Sequence, residues 1–406
     1  MTAAVTSSLD GIPSHFAVDL RDPYLAKVAE LSSIFAVDAV SNDKAGGKPL
    51  PQLAALKRSG LLNLTIPAPH GGEGQNWSKA LRIARELAKA DGSVGHLYGY
   101  HFLSVHAAFL RGSPEQAADI YTRSAAGNWF WGNNGNSFSK TLFGRREGEY
   151  TIVDGFKPFT SGSHIADHLS ISWEDELTRE RVFAVIPAGR EGLTVEDDWD
   201  GFGQRQTGSG RVTYRGVRVH ESEVLNYAGH DGRPLRTLGP QLQQSVLLNV
   251  FVGSAQGALL AARQYTRETS RPWIHSGVES HVQDPWVQRV YGEQYARIRA
   301  ATLLADEAAE ALDAAWSRGF DLTEAERGEA AVSIAAANVF AGDVALEATS
   351  KIFEVMGARS ATRALGLDRF WRNVRTHTLH NPAEYKLRNV GKAFLTGLYP
   401  EPAAFQ

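Results

Sequence analysis

Asp368-Arg369-Phe370-Trp371-Arg372-Asn373-Val374-Arg375-Thr376-His377-Thr378-Leu379-His380-Asn381-Pro382 is the stretch on which the reading of this chain turns. It is basic and aromatic, it carries two histidines three residues apart, and no carboxylate follows Asp368 before Glu384. His377, His380 and Glu384 have the i, i+3, i+7 spacing of a metal-binding helix face, the best metal candidate in the sequence. Pro382 would break that helix between the second and third ligands, so no metal is expected. A second run without a single acid extends from Gly232 to Arg267. These two runs offer histidine, amide and hydroxyl groups but no carboxylate base.

Outward from this stretch, the chain as a whole is ordinary in composition. With 406 residues, 43% hydrophobic and 21% charged, it is long enough for two or three globular domains. Lys plus Arg number 42 against 45 Asp plus Glu, for a formal charge of -3, and no block of like charge suggests a nucleic-acid or membrane partner. A small, mostly neutral ligand is expected. The absence of cysteine excludes disulfides, a thiolate nucleophile and Cys-ligated zinc, and the cytoplasm is the expected compartment. Met1 to Phe16 lacks the basic start and apolar run of a secretory signal and reads as a flexible arm. Ser245 to Ala262, the most apolar segment, is interrupted by Asn249, Ser254 and Gln256 and sits at the short limit for a membrane span, so it reads as a buried helix.

Helical periodicity dominates from Pro23 to Val40 and from Trp77 to Ala90, where Leu81, Ala84, Leu87 and Ala88 form one stripe and Arg82, Arg85 and Lys89 face outward. Asp91-Gly92-Ser93 ends that helix and offers Ser93 as the next cap. Between Asn128 and Val224 the rhythm changes to short β runs, such as Val182 to Ile186 and Arg211 to Arg215, divided by glycine-rich turns. Asn128 to Ser139 reads as a polar loop. From Gln241 to Thr396 the pattern returns to long helices, notably Val287 to Arg318 and Thr323 to Met356. The expected fold class is α+β, with an N-terminal helical domain over 1–127, a middle β-barrel-like domain over 128–233 and a C-terminal helical bundle over 234–406. Gly201-Phe202-Gly203 with Gly208 lacks dinucleotide-binding spacing, so no nicotinamide site is evident.

The order of these segments, with Pro67-Ala68-Pro69-His70-Gly71-Gly72-Glu73-Gly74 early and Gly203-Gln204-Arg205-Gln206-Thr207-Gly208-Ser209-Gly210 closing the β region, resembles the acyl-CoA dehydrogenase fold over roughly residues 25–400. Gly92 to His101 and Phe370 to His380 are most similar to its flavin-dependent monooxygenase branch, which oxidises dibenzothiophene, indole or amino sugars. Aligned on Arg372-Asn373, the catalytic glutamate of the dehydrogenases falls on Asn381, and the alternative position lies in the acid-free 232–267 run. A dehydrogenase needs that carboxylate to take the proton α to a thioester. The resemblance implies a two-component enzyme that takes reduced flavin, FMNH2 or FADH2, from a separate NAD(P)H-dependent reductase. It would then oxygenate a small aromatic substrate with O2 through a C4a-hydroperoxyflavin, as a homotetramer.

His96 and Tyr100 are four apart and share a helix face. Read alone, the pair is better explained as satisfied interior packing; the resemblance makes His96 a donor or proton shuttle and Tyr100 a pocket wall. His101 and His106 have no such support. Asn133 and Ser161 match family positions beside the flavin, with catalytic and cofactor-binding roles, although either is also a common turn residue. Phe159 and Trp199 would form apolar walls. Arg271, Gly357 and Arg359 fall where the family binds flavin phosphate, Arg271 from a neighbouring subunit, while ion pairing and helix capping are the plain alternatives. His377 would help hold the flavin, His380 would stand closest to the chemistry, and Asn381 would border the substrate. The competing functions are an acyl-thioester dehydrogenase or oxidase, an amine N-oxygenase and a non-catalytic flavin binder.

Overall fold

The computed structural model describes residues 16–136 and 138–403. The arm expected at 1–16 lies outside them apart from Phe16, which is buried with its ring 5.2 Å from Tyr295. Six helices come first: α1 (Pro23–Ala45), α2 (Leu50–Ser59), α3 (Trp77–Ala90), α4 (Gly92–Val105), α5 (Ala107–Arg111) and α6 (Pro114–Gly127). Asn76 starts α3 by accepting from the Lys79 amide, and Leu81, Ala84, Leu87 and Ala88 are buried as their spacing requires.

Three expectations at this helix are corrected. Lys89 is turned inward, its side chain 12% exposed and its ammonium donating to Phe16 O at 2.7 Å. Arg85 does not face solvent: α3 packs on α1, α4 and two helices of the C-terminal bundle, so few of its positions are left on the outside. The Arg85 side chain is buried, donating to Asn249 Oδ1 at 2.9 and 2.7 Å and pairing with Asp306 at 2.8 Å. Nor is Ser93 the cap of α4. Asp91 takes that place, its carboxylate accepting from the amides of Ser93 and Val94 at 2.8 and 3.3 Å.

A curled seven-stranded sheet follows: β1 (Trp131–Asn134), β2 (Leu142–Glu147), β3 (Tyr150–Lys157), β4 (His168–Asp175), β5 (Arg181–Pro187), β6 (Leu193–Val195) and β7 (Val212–His220). The order is β1-β4-β2-β3-β7-β6, with β5 also paired to β4. β1 corrects the expected polar loop at 128–139. Asn128 caps α6 in the left-handed conformation at φ 47, and the next residues enter the sheet parallel to β4, placing Asn133 beside Ser170. The sheet has its own core around Leu142, Leu169, Ile171, Trp173 and Tyr214.

The rest is α7 (Gly239–Glu268), α8 (Pro285–Ser317), α9 (Glu324–Met356), α10 (Asp368–Thr378) and α11 (Ala383–Thr396). α7 and α9 are long and apolar enough to cross a membrane, but 89% of the most apolar window of α7 is buried in the helical core. Its glycines explain how closely it lies on α3: a Cβ at Gly253 would strike the Arg85 carbonyl, and one at Gly257 the Lys89 carbonyl. α10 ends at Thr378 and Pro382 caps α11, so the 368–382 stretch is a helix, a turn and a proline. Glu384 is consequently exposed on a different helix from His377. Among the described residues no group of three His, Asp or Glu could hold a metal ion.

Candidate active site

A cavity of about 1750 Å³ opens between α4, the sheet, the start of α7 and the turn from α10 to α11. Its inner end is a group of histidines. His96 and Tyr100, one turn apart on α4, have ring centroids 3.9 Å apart, and His377 from the last turn of α10 lies 4.5 Å from His96. His380 and Asn381 follow on the turn, the His380 amide donating to His377 O at 3.0 Å. Both ring nitrogens of His96 and Nδ1 of His377 are buried without a hydrogen-bond partner. Each costs roughly 1–3 kcal/mol unless something in the cavity satisfies it.

Burial decides the charge of this group. It holds His96 down to about 3, with His380 adding to the effect, and it keeps His377 well below the ordinary value. His380 is lowered by burial to about 4, against the opposing effect of its hydrogen bond to Asn381. All three are therefore neutral at pH 7, and each can give a proton from one nitrogen and accept at the other. Because the unfolded chain binds protons that the native one refuses, this stability is complete above about pH 6.5 and is lost as pH falls toward 4, by about 1.4 kcal/mol per pH unit for each histidine. The urea midpoint should fall between pH 6 and 5, and His96→Gln should remove one histidine's share of that slope. A midpoint indifferent to pH in both proteins would contradict neutral burial.

The opposite wall comes from two loops. Ser161 Oγ meets Ser209 Oγ at 2.7 Å, which meets Thr207 Oγ1 at 2.7 Å, and Thr207 Oγ1 donates to Gln204 O at 2.8 Å. Asn133 N donates to Ser161 O at 3.0 Å, and Asn133 Oδ1 accepts from Gly135 N at 2.8 Å. Asn133 Nδ2 is left without a partner among the described residues, on a side chain that lines the cavity. Phe159 is held at φ 57, a conformation that disfavours a bulky side chain, and its 65% exposed ring meets Trp199 edge-on at 6.4 Å. Gln204 also has positive φ and hydrogen-bonds Asn373 of α10 from its amide at 2.7 Å. Two strained residues on one cavity mark a conformation that its surroundings impose.

The cavity thus gathers His96, Tyr100, Asn133, Phe159, Ser161, Trp199, His377, His380 and Asn381, all singled out from the sequence. It does not gather Arg271, Gly357 and Arg359. These lie beyond the far ends of α7 and α9, drawn together by Ser270 Oγ donating to Met356 O at 3.1 Å and by His281 Nε2 against Val355 O at 2.8 Å. α7 begins at the cavity and its 30 residues rise about 45 Å, so these groups cannot reach the cavity of their own chain. Gly357 ends α9 with its amide on Phe353 O, a capping role. His101 and His106 are buried in hydrogen bonds to Leu62 O at 2.8 Å and Thr65 Oγ1 at 2.9 Å, and they serve packing. Sequence reading missed Ser209 and Gln204, whose part depends on long-range contacts, and the arginines at the cavity's outer end.

Residues 35–128 match the acyl-CoA dehydrogenase N-terminal domain and residues 246–384 the acyl-CoA dehydrogenase C-terminal domain. The chain is 38% identical over 384 residues to a probable FMNH2-dependent monooxygenase, SfnC, of Pseudomonas putida, covering 94% of this chain and 97% of that one. Among solved structures it is similar to methanesulfinate monooxygenase MsuC from Pseudomonas fluorescens, with a TM-score of 0.92 and 40% identity, covering 95% of this chain and 100% of that one. It is also similar to TdsC from Paenibacillus sp. A11-2 in complex with FMN and indole, with a TM-score of 0.90 and 36% identity over 95% and 100% of the two chains.

Proposed function

Because the chain belongs to the acyl-CoA dehydrogenase family, among relatives that are flavin-dependent monooxygenases, we propose that its cavity holds reduced FMN and oxygenates an electron-rich atom of a small substrate. The observation that carries this reading is the meeting of neutral His96 and His377 at 4.5 Å, with both nitrogens of His96 and Nδ1 of His377 unpartnered, in a cavity also lined by Asn381, the residue on which the resemblance places a dehydrogenase's base. The residues suit a flavin: the volume of about 1750 Å³ exceeds what one drug-sized ligand needs, and the unpartnered buried polar atoms await one. Reduced FMN would supply the two electrons that divide O2 into one oxygen atom for the substrate and one water.

The protein's part is donation, positioning and exclusion of water. Ser161, oriented by Ser209 and by the Asn133 amide, would face the flavin ring, and Asn133 Nδ2 would donate to the oxygen or the substrate. His96 would lend and recover a proton without becoming charged at rest, and His380 would do the same from the turn. His377 would hold the ring of His96 and border the flavin. Tyr100, Phe159 and Trp199 supply apolar walls, which would exclude water from the reacting centre once flavin and substrate cover the exposed Phe159 ring. Asn381 cannot abstract a proton, which disfavours both thioester dehydrogenation and the loss of activated oxygen as peroxide. Aromatic walls suit a heterocycle such as the indole bound by TdsC, with sulfur or nitrogen oxidation as the related alternatives.

Reduced flavin would come from a separate NAD(P)H-dependent reductase, since no dinucleotide fingerprint exists in the sequence. The purified chain should consume little NADH alone and should form product once a reductase and FMN are added. Efficient NADH oxidation by the isolated protein would refute the two-component reading. Arg271 and Arg359, too far from their own cavity, would pair with flavin phosphate in a neighbouring subunit of a homotetramer. Arg271→Ala should then weaken FMN binding about tenfold or more with an unchanged melting curve. An active monomer in sedimentation, or undiminished FMN affinity, would count against it.

A further inference from the structure

The outer end of the same cavity differs from its histidine end. Six lining residues are cationic, Arg111, Arg181, Arg233, Arg236, Arg327 and Lys392, against two acids, Glu324 and Glu401, in a chain whose formal charge is -3. Arg111 is the centre of this excess. It closes α5 with its guanidinium carbon 3.7 Å from the centroid of the Phe183 ring, and while its carbonyl accepts from Tyr227 N at 3.0 Å, its guanidinium has neither an ion-pair nor a hydrogen-bond partner among the described residues. Burial first, then the charges of Arg236 and Arg181, lower its pKa to about 10, so it stays protonated at neutral pH with like charges beside it. Arg236 does have a carboxylate, Asp231, but that acid is 65% exposed. Arg181 stands opposite the buried Glu174 in the β4–β5 pairing, and that acid acts on it; Arg327 is directed to Thr237 Oγ1 and the Pro400 carbonyl, with Glu401 the acid that acts on it. Of these four, Arg111 is thus the member left without a carboxylate among the described residues.

Holding guanidinium groups together in a partly dehydrated arm is unfavourable unless an anion joins them. An arginine stacked on an aromatic face keeps its planar fork of donors free for a carboxylate or sulfinate. The arm also has a defined relation to the chemistry. Tyr100 and Leu103 of α4 and Ala107 and Arg111 of α5 line the cavity on either side of the break at His106, which sets Arg111 on the order of 15 Å from Tyr100.

We propose that the oxygen-accepting substrate is an elongated organic anion whose carboxylate, sulfinate or sulfonate is held by Arg111 with Arg181 and Arg236, while its oxidisable atom reaches the His96 end. The inference rests on the monooxygenase reading of that end, and it replaces the neutral ligand expected from the chain's overall charge. A flavin phosphate has related chemistry, and the test has to separate the two sources.

The test uses the full chain with FMN, a separate reductase, NADH and O2. Its substrates are methylthioalkanoates of increasing chain length and their neutral primary amides, and sulfoxide is the product measured. At the best length the carboxylate should exceed its amide in kcat/KM by at least about tenfold, since a charge-assisted contact is gained by the anion alone. Arg111→Gln should bring that ratio close to one, and Arg111→Lys, which keeps the charge but not the planar fork, should retain only part of it. Tryptophan quenching of flavin-free protein by the same carboxylates should weaken in parallel. A wild-type ratio near one, or a ratio unmoved by both Arg111→Gln and Arg236→Gln, overturns the proposal. So does an Arg111→Gln protein that binds FMN more weakly but riboflavin normally, which would assign the arm to the flavin phosphate. Arg111-dependent binding of the carboxylates with no sulfoxide from either series would instead overturn the reaction assigned to the histidine end.

Discussion

Replacing His96 by phenylalanine is expected to lower oxygenated product by about 10²–10³-fold per FMN oxidised, while O2 uptake continues and hydrogen peroxide accounts for the difference. The size follows from the surroundings of the ring. His96 is 3% exposed, both its nitrogens lack partners, and it stands between Tyr100 and His377 on the cavity wall. A preorganised donor in such a water-poor site is worth about 2.7–4 kcal/mol at the transition state. Phenylalanine fills the same space, so folding and FMN binding should persist. Ser161→Ala should act in the same direction but less strongly, because Ser209 and Thr207 remain to reshape the hydroxyl chain. Product by chromatography and peroxide by a peroxidase-coupled assay give the partition directly. A His96→Phe protein with the parent's partition would remove this residue from the chemistry.

Replacing Arg85 by alanine should cost about 3 kcal/mol of stability without touching the cavity. Its guanidinium satisfies Asn249 Oδ1, a fully buried acceptor on α7, and neutralises Asp306 on α8, so one side chain ties three helices. Truncation leaves an amide oxygen with no donor and a carboxylate that is only 27% exposed with Arg82, at 3.7 Å, as its remaining cation. The measurement is the urea midpoint of the purified variant beside the parent. An unchanged midpoint would mean that water replaces the guanidinium at no cost.

Arg85 also shows where sequence reading reaches its limit. The period that identifies α3 is local, and it gave Trp77–Ala90 correctly. Which face of that helix meets solvent depends on the helices packed on it, and those are set by contacts with residues more than 150 positions away. The same division recurs at the site. His96 and Tyr100 were legible as a pair because four residues make one helical turn, and their meeting with His377 was suggested only through the family resemblance. Asp91 and Ser93 are both good cap residues, and the backbone chose the first. β1 went unread because four residues rich in Gly and Asn carry turn chemistry, while its parallel pairing with β4 is a long-range fact. The partnership of Ser161 with Ser209 and the gathering of Arg111, Arg181 and Arg236 leave no trace in local spacing, and the near-zero net charge concealed the latter.

The central claim is that this cavity, with histidines and an asparagine in place of a base, inserts oxygen from O2 instead of removing hydrogen from a thioester. Its most direct test is a reaction under ¹⁸O2 with chemically reduced FMN and a panel of thioethers and indoles, followed by mass spectrometry of the products. The account predicts one ¹⁸O atom in each molecule of product and no 2-enoyl thioester from an acyl-CoA supplied in the same mixture. Unlabelled product, or enoyl thioester formed at the expense of oxidised FMN, would contradict it.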